Sequence, residues 1–274
     1  MSGPAVSVVI MDRLQVIDNE AARLADVLAH VDPTARVPTC PDWDAAGLLW
    51  HFTGVQRFWA DVLAQDPQTD EEVGALEQED AEPPGSVAEI LPLREAATAD
   101  LLAQLRRLDD EEPRWTWWDA DRTVGFTRRM QTYEATMHRV DAELAAGLPV
   151  SPIPADVAAG AVDHCVDVMW GWMPDWATYE RLAVVELAAT DSGARWLVEI
   201  GHWFGTGPES GNEFDMARAV RAAEGTTVTG TVSAEAEQLA RWAWGRAPEP
   251  DAVTVEGSPQ AQAAIDRLIA QGIQ

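Results

Sequence analysis

The chain has no lysine, so all 19 of its basic residues are arginine. That excludes Schiff-base chemistry and a lysine nucleophile. Cationic residues are scarce in general: against 46 Asp and Glu, the formal net charge is −27. Such a balance argues against nucleic acid and against an anionic membrane surface, both of which reward basic patches. A small-molecule substrate fits better than a polyanion. Cysteine is nearly absent as well. Cys40 and Cys165 have no CxxC partner and make no disulfide framework. No run of about eighteen apolar residues is present, so nothing reads as a membrane span. The opening MSGPAVSVVI lacks the charged and long apolar regions of a secretory signal, and the expected location is cytoplasmic. No internal repeat of useful length occurs.

With 274 residues there is room for one large or two ordinary domains. Apolar residues recur at helical spacing from about Met11 to Val31, and again from about Ala45 to Ala64, where Asp44 is a natural N-cap. The stretch Gln65 to Gly85 is acidic and reads as a solvated connection whose charges keep it extended. Ser86 caps a third helix to about Leu108, and a fourth runs from near Thr123 to about Ala146, stopping at Gly147. Four amphipathic helices with one long connection predict a four-helix bundle. The proline-rich Leu148–Pro154 reads as a linker, which gives domains at 1–150 and 151–274.

Beyond the linker a helix is expected over Ala155–Met169, then short β-rich runs at Leu182–Leu187, Arg195–Ile200, Met216–Val220 and Thr226–Val232. A helix over Ser233–Gly245, a strand at Ala252–Glu256 and a last helix over Pro259–Gln271 complete the chain. The second domain, and the chain overall, is α+β.

The fourth helix carries the chemistry. Glu134 and His138 stand four residues apart, one turn along one face, and are two ready ligands for a divalent metal. By itself such a pair is more often a solvated surface pair, and His51, inside the apolar half of the second helix, is by itself more often a satisfied core histidine. Asp141, three residues after His138, is placed either to orient the imidazole or to pair with Arg128 or Arg139. Cys40 reads as a packed thiol, and Asp163-His164-Cys165 lacks the partner pair a second metal site needs. Most of the 13 Trp read as core; for Trp115, Trp117 and Trp118 two readings stay open, pocket wall and core packing.

Several stretches together resemble one family. Val37-Pro38-Thr39-Cys40-Pro41-Asp42-Trp43 followed by Leu48-Leu49-Trp50-His51 is similar to the start of the mycothiol-dependent maleylpyruvate isomerases. So are Trp115-Thr116-Trp117-Trp118, Thr123-Val124-Gly125-Phe126 and the run from Glu134 through His138-Arg139-Val140-Asp141. Val228–Val232 and Trp244-Gly245-Arg246 are similar to that family's second domain. The resemblance implies a DinB-like bundle binding Zn²⁺, or another divalent metal, through two His and one Glu, which fall on His51, Glu134 and His138. It also implies mycothiol as a thiol cosubstrate and a catalytic arginine in the second domain, for which Arg246 is the candidate and Arg241 its rival. Three departures stand out: Tyr133 where His is frequent, Asp42 where Gly is usual, and a divergent stretch from His202 to Asp215.

Two imidazoles and a carboxylate leave one tetrahedral position of zinc open, the pattern of a catalytic site. Neither ligand helix contains a cysteine, so a thiol nucleophile has to come from outside. The reaction class is attack by a metal-activated thiol on a small electrophile, as an S-transferase or a maleylpyruvate-type cis–trans isomerase. The alternatives are a non-catalytic protein that binds metal, thiol or a partner on the same fold, and a thiol-independent metal hydrolase. A homo-oligomer is compatible with the sequence.

Overall fold

The computed structural model describes residues 11–76 and 83–273. The N-terminal decapeptide, on which the reading of an absent secretory signal rests, lies outside the described residues, as do 77–82 of the acidic connection. The chain divides into two compact units: Met1–Val37 with Asp42–Gly147, and Pro38–Pro41 with Leu148–Gln274. The architecture is α+β. Among the described residues no helix is long and apolar enough to cross a membrane.

The first unit is a four-helix bundle of α1 (Arg13–Leu28), α2 (Ala45–Gln65), α4 (Val87–Arg107) and α5 (Val124–Ala145), in which α1 packs chiefly on α5 and α2 on α4. Three of these helices begin on a polar side chain that accepts from an otherwise unpaired amide. Asp12 accepts from Gln15 N at 3.2 Å, Asp44 from Gly47 N at 2.8 Å and Thr123 from Phe126 N at 3.2 Å. Ile17, Leu24, Leu48, Phe52, Leu101 and Leu105 fill the space between them.

The acidic connection is not simply extended. Residues Asp70–Gly74 form a short helix α3, started by a reciprocal capping box between Thr69 and Glu72. Asp70 Oδ1 accepts from Trp115 Nε1 at 3.1 Å, which ties the segment to the loop before α5. The Thr-Asp-Glu-Glu order was the local signal for this turn, overshadowed by the charge of its surroundings.

A buried ion cluster joins α1 to α5. Arg139 is fully buried and donates to Glu20 Oε2 at 2.6 Å and to Glu143 Oε2 at 2.9 Å. Arg23 donates to the other oxygen of Glu143 at 2.9 Å, so two cations face two carboxylates. Beside it, Arg13 Nη1 donates to the Tyr133 hydroxyl at 2.9 Å and lies over its ring. Tyr133 is thus turned toward α1, as expected for a residue off the Glu134/His138 face.

The second unit opens with α6 (Ala155–His164), which widens into a π-helical turn over Cys165–Met169. Its five-stranded sheet has the order β3-β2-β1-β4-β5, with β1 and β4 parallel and the other neighbours antiparallel. The strands are β1 (Thr178–Ala189), β2 (Arg195–Thr206), β3 (Glu213–Arg221), β4 (Gly230–Ala234) and β5 (Thr254–Gly257). Helix α7 (Ala236–Ala243) packs on α6 and β4, and α8 (Pro259–Gln271) on β1 and β3.

The first three strands run well past their apolar cores, because β2 and β3 continue as a hairpin out to the pair Thr206–Glu213. The strand expected over Arg195–Ile200 stops one residue before Gly201. At Gly201 the glycine is instead required inside the strand, since a Cβ there would lie 2.2 Å from the carbonyl oxygen of Glu180 and 2.6 Å from the Tyr179 hydroxyl.

Replacing Arg139 by Met is expected to cost about 3–5 kcal/mol, because it strands buried carboxylates without their cation. Urea unfolding of the variant measures this. Adding Glu143→Leu and Glu20→Gln should restore most of the loss, which separates a charge effect from a packing effect.

Candidate metal centre

Helix α5 sets the geometry. Its Thr123 cap fixes the start, and most of its length is buried. Glu134 and His138 meet along one face, with His138 Nε2 3.2 Å from Glu134 Oε2. On its other side, His138 Nδ1 lies 3.0 Å from Asp141 Oδ2. Of the two roles open to Asp141 in the sequence, the structure thus shows the orienting one. His138 is 4 % exposed and Asp141 0 %. The ring of His51, from α2, stands 5.2 Å from that of His138, edge to face at 76°.

Aromatic groups close round the two imidazoles. Trp43 packs on His51 at 4.3 Å between centroids and lies 6.0 Å from His138, and Phe52 meets His138 edge-on at 6.1 Å. Of the two readings open for Trp115 and Trp117, their ring contacts agree with packing. Trp115 packs on Phe58 and Trp59, and Trp117 on Phe126 and Trp118. Trp43 stands immediately before the Asp44 cap, about two helical turns ahead of His51. That proximity in sequence was the available sign of its role.

Burial works against a charge on His138, yet the hydrogen bonds and negative charges of Asp141 and Glu134 prevail and push its pKa up to about 9. Without a metal the imidazole is a cation at neutral pH, with one proton held toward each carboxylate.

The donor set suits a metal. Two ligand atoms, each about 2.0–2.1 Å from zinc at a tetrahedral angle, are about 3.3 Å apart, and the Nε2–Oε2 separation is 3.2 Å. The carboxylate behind Nδ1 fixes the tautomer that leaves Nε2 available, as in zinc-bound histidines generally. Even so, among the described residues no group of three or more His, Cys, Asp or Glu is arranged to hold an ion. Glu134 and His138 are at ligand spacing, and His51 lies beside them without completing the set.

The two candidate arginines belong to the second unit. Arg241, in α7, is 3 % exposed, and its guanidinium donates to the carbonyls of Arg246 at 3.3 Å and Ala247 at 2.5 Å. Arg246 follows the left-handed Gly245 and donates to the Trp244 carbonyl at 2.7 Å. In Asp163-His164-Cys165, Asp163 accepts from Trp196 and Arg221, while His164 stacks on Trp244. The first of these residues is therefore an ion-pair and hydrogen-bond partner within the second unit.

Fold and site together define an α+β protein whose N-terminal helical bundle presents Glu, His and an orienting Asp along one helix, with a second His opposite. Residues 14–143 match the family model described as the mycothiol maleylpyruvate isomerase N-terminal domain, which covers the helical bundle of the first unit. Two crystal structures of a mycothiol-dependent maleylpyruvate isomerase share the fold. One is a histidine-to-alanine mutant, at 15 % identity and TM-score 0.59; the second has 16 % identity and TM-score 0.58. Each alignment covers 91 % of this chain and 94 % of the other. No curated protein matches the chain in sequence.

In the metal-free protein, the His138 resonances are expected to titrate near pH 9 in NMR. Because the folded pKa lies above the unfolded value of 6.5, the associated stability is complete below about pH 6.5 and is lost as pH rises through about 9. Asp141→Asn should lower the midpoint and shrink that window. A midpoint unmoved by the substitution would contradict the assigned cause.

Proposed function

We propose that the chain is a divalent-metal enzyme of the thiol-using kind, in which His51, Glu134 and His138 hold zinc and mycothiol is the external thiol. The observation that carries this reading is the line Asp141–His138–Glu134, with both imidazole nitrogens committed and His51 alongside. The family of the N-terminal domain supports the choice of thiol. Bound there, zinc would supply a Lewis acid that lowers the pKa of a coordinated thiol toward neutrality.

The chain's own residues do the rest. Asp141 keeps the Nδ1 proton and the ring orientation, so that Nε2 serves as the donor. Trp43 and Phe52 keep bulk water from the imidazoles, which strengthens local electrostatics. Cys40 and Cys165 lie in neither ligand helix, and Cys165 is fully buried. Neither is therefore cast as the nucleophile.

A substrate carboxylate or developing enolate needs a cation, and Arg246 is assigned that role. Arg241, occupied with the backbone of residues 246–247, acts by holding the segment that carries Arg246. The substrate is a small electrophile. A cis–trans isomerisation of a maleylpyruvate-type compound, in which the thiol adds, a bond rotates and the thiol leaves, agrees with the names of the structural neighbours. An S-transferase would release the conjugate instead, and the same residues serve both.

Calorimetric titration of the zinc-loaded protein with mycothiol, with proton release followed in parallel, tests the reading. Saturable binding with about one proton released, lost in His51→Ala, is expected. Absence of thiol binding by the loaded wild type would overturn it and leave the hydrolase and the binding protein. If turnover is found, Arg246→Ala should lower kcat/KM by about a hundredfold or more.

A further inference from the structure

The inward face of α5 stays polar below the metal centre. Thr127, Gln131, Glu134 and His138 follow one another at spacings of four, three and four residues, so they lie in one row along the helix. Helix α2 runs antiparallel beside that row. Its end lies by the start of α5, because Arg114 donates to the Leu63 carbonyl at 3.3 Å and Pro113 forms an antiparallel bridge with the cap residue Thr123. Its first half meets the far end of α5, where Phe52 stands 6.1 Å from the His138 ring. One turn along each helix from that contact brings Gln56 level with Glu134. Gln131 approaches the same carboxylate from one turn along α5. Glu134 is 23 % exposed, whereas Gln56 is 0 % and Gln131 1 %, so the two glutamines lie on its buried side.

Both carboxamides keep a donor unmet. The Thr98 hydroxyl of α4 donates to Gln56 Oε1 at 2.5 Å, which leaves Gln56 Nε2 aimed away from Thr98. Among the described residues neither Gln56 Nε2 nor Gln131 Nε2 has an acceptor, and the Thr127 hydroxyl one turn below is unpaired as well. A buried amide hydrogen without an acceptor is destabilising, and stable cores rarely keep one. Two of them on facing helices, beside a carboxylate, make a polar site of the kind that ordered water fills, with about three hydrogen bonds to each molecule.

We propose that Gln56 and Gln131 hold a buried water molecule that donates to Glu134, so that both act as positioning residues for this carboxylate. The water oxygen accepts from the two Nε2 groups, and one of its hydrogens goes to the carboxylate. Both amides then gain the acceptor that neither reaches directly. A carboxylate gripped from its buried side keeps one orientation toward His138, and outer partners of this kind tune the affinity of a metal ligand. The water site needs no metal. Its effect on metal affinity rests on the reading of His51, Glu134 and His138 as ligands.

NMR of the metal-free full chain tests the water site. The side-chain amide protons of Gln56 and Gln131 should show cross-peaks to water with the opposite NOE and ROE signs of a long-lived molecule. Absence of those cross-peaks would overturn the proposal, and the measurement needs no variant. Zinc competition with a chromophoric chelator then tests the positioning role. Gln131→Met and Gln56→Met, apolar and of similar length, should each weaken zinc binding about tenfold or more while keeping a folded circular-dichroism spectrum. Zinc affinity at the wild-type level in either folded variant would overturn the role of that glutamine. Failure of the unmodified chain to bind zinc would overturn the metal reading and the positioning role with it, whereas the water site stands or falls on its cross-peaks.

Discussion

Arg139 is the constraint on which the bundle's geometry depends. Its guanidinium lies between Glu20 of α1 and Glu143 of its own helix, with Arg23 completing the charge balance. Replacing such a cluster wholesale by apolar residues is often neutral, whereas breaking it is costly. Its importance is therefore positional. A buried ion has one acceptable partner arrangement, where a leucine in a groove has several, and α5 cannot rotate against α1 without stranding charge. Because successive helical residues are turned by about 100°, fixing Arg139 toward α1 also fixes His138 about 100° and Glu134 about 140° away around the helix, where the structure brings His138 beside His51 of α2.

The electrostatics of the site follow from the same burial. His138 lies between two carboxylates, one of them fully buried. A single protonated imidazole leaves this trio one negative charge in excess. Counting only Glu134 against a divalent metal would give a cationic centre, but Asp141 belongs to the charge balance and makes that centre neutral. The site is thus built to attract a cation, and the proton on His138 is the cation it takes when nothing else is present. The raised pKa and the donor spacing are two expressions of one arrangement.

Much of the bundle was legible because its signals are local and agree with one another. The cap at Asp44, helical periodicity and the four-residue spacing of Glu134 and His138 all point to the same elements. What escaped depends on distant partners. The α3 turn is written in a capping box at Thr69 and Glu72, but its surroundings are dominated by charge. Trp43 is a wall of the site because its ring packs on that of His51, a contact that only the folded chain shows. In the second unit the expected strands stopped at Ile200 and resumed at Met216, whereas β2 runs on to Thr206 and β3 starts at Glu213; Gly201 fits inside β2 because Glu180 and Tyr179 occupy the space a Cβ would need. The role of Asp141 was an open choice between imidazole and arginine. Burial of the carboxylate beside His138, with Arg139 claimed by other acids, decides it.

The absence of lysine bears on recognition throughout. With arginine the only permanent cation, many positive side chains are already paired in the fold: Arg139 in the clasp, Arg128 at the carbonyls ending α4, Arg221 against Asp163 and Asp167, and Arg267 on Asp215. Long-range steering in a chain of charge −27 runs against any anionic substrate. Affinity for an anion has to come from short-range, directional contacts, and the planar fork of an arginine is suited to gripping a carboxylate that way. The proposed thiol chemistry therefore has to recruit negative charge into an acidic protein, and short-range contacts rather than the long-range field have to supply the affinity.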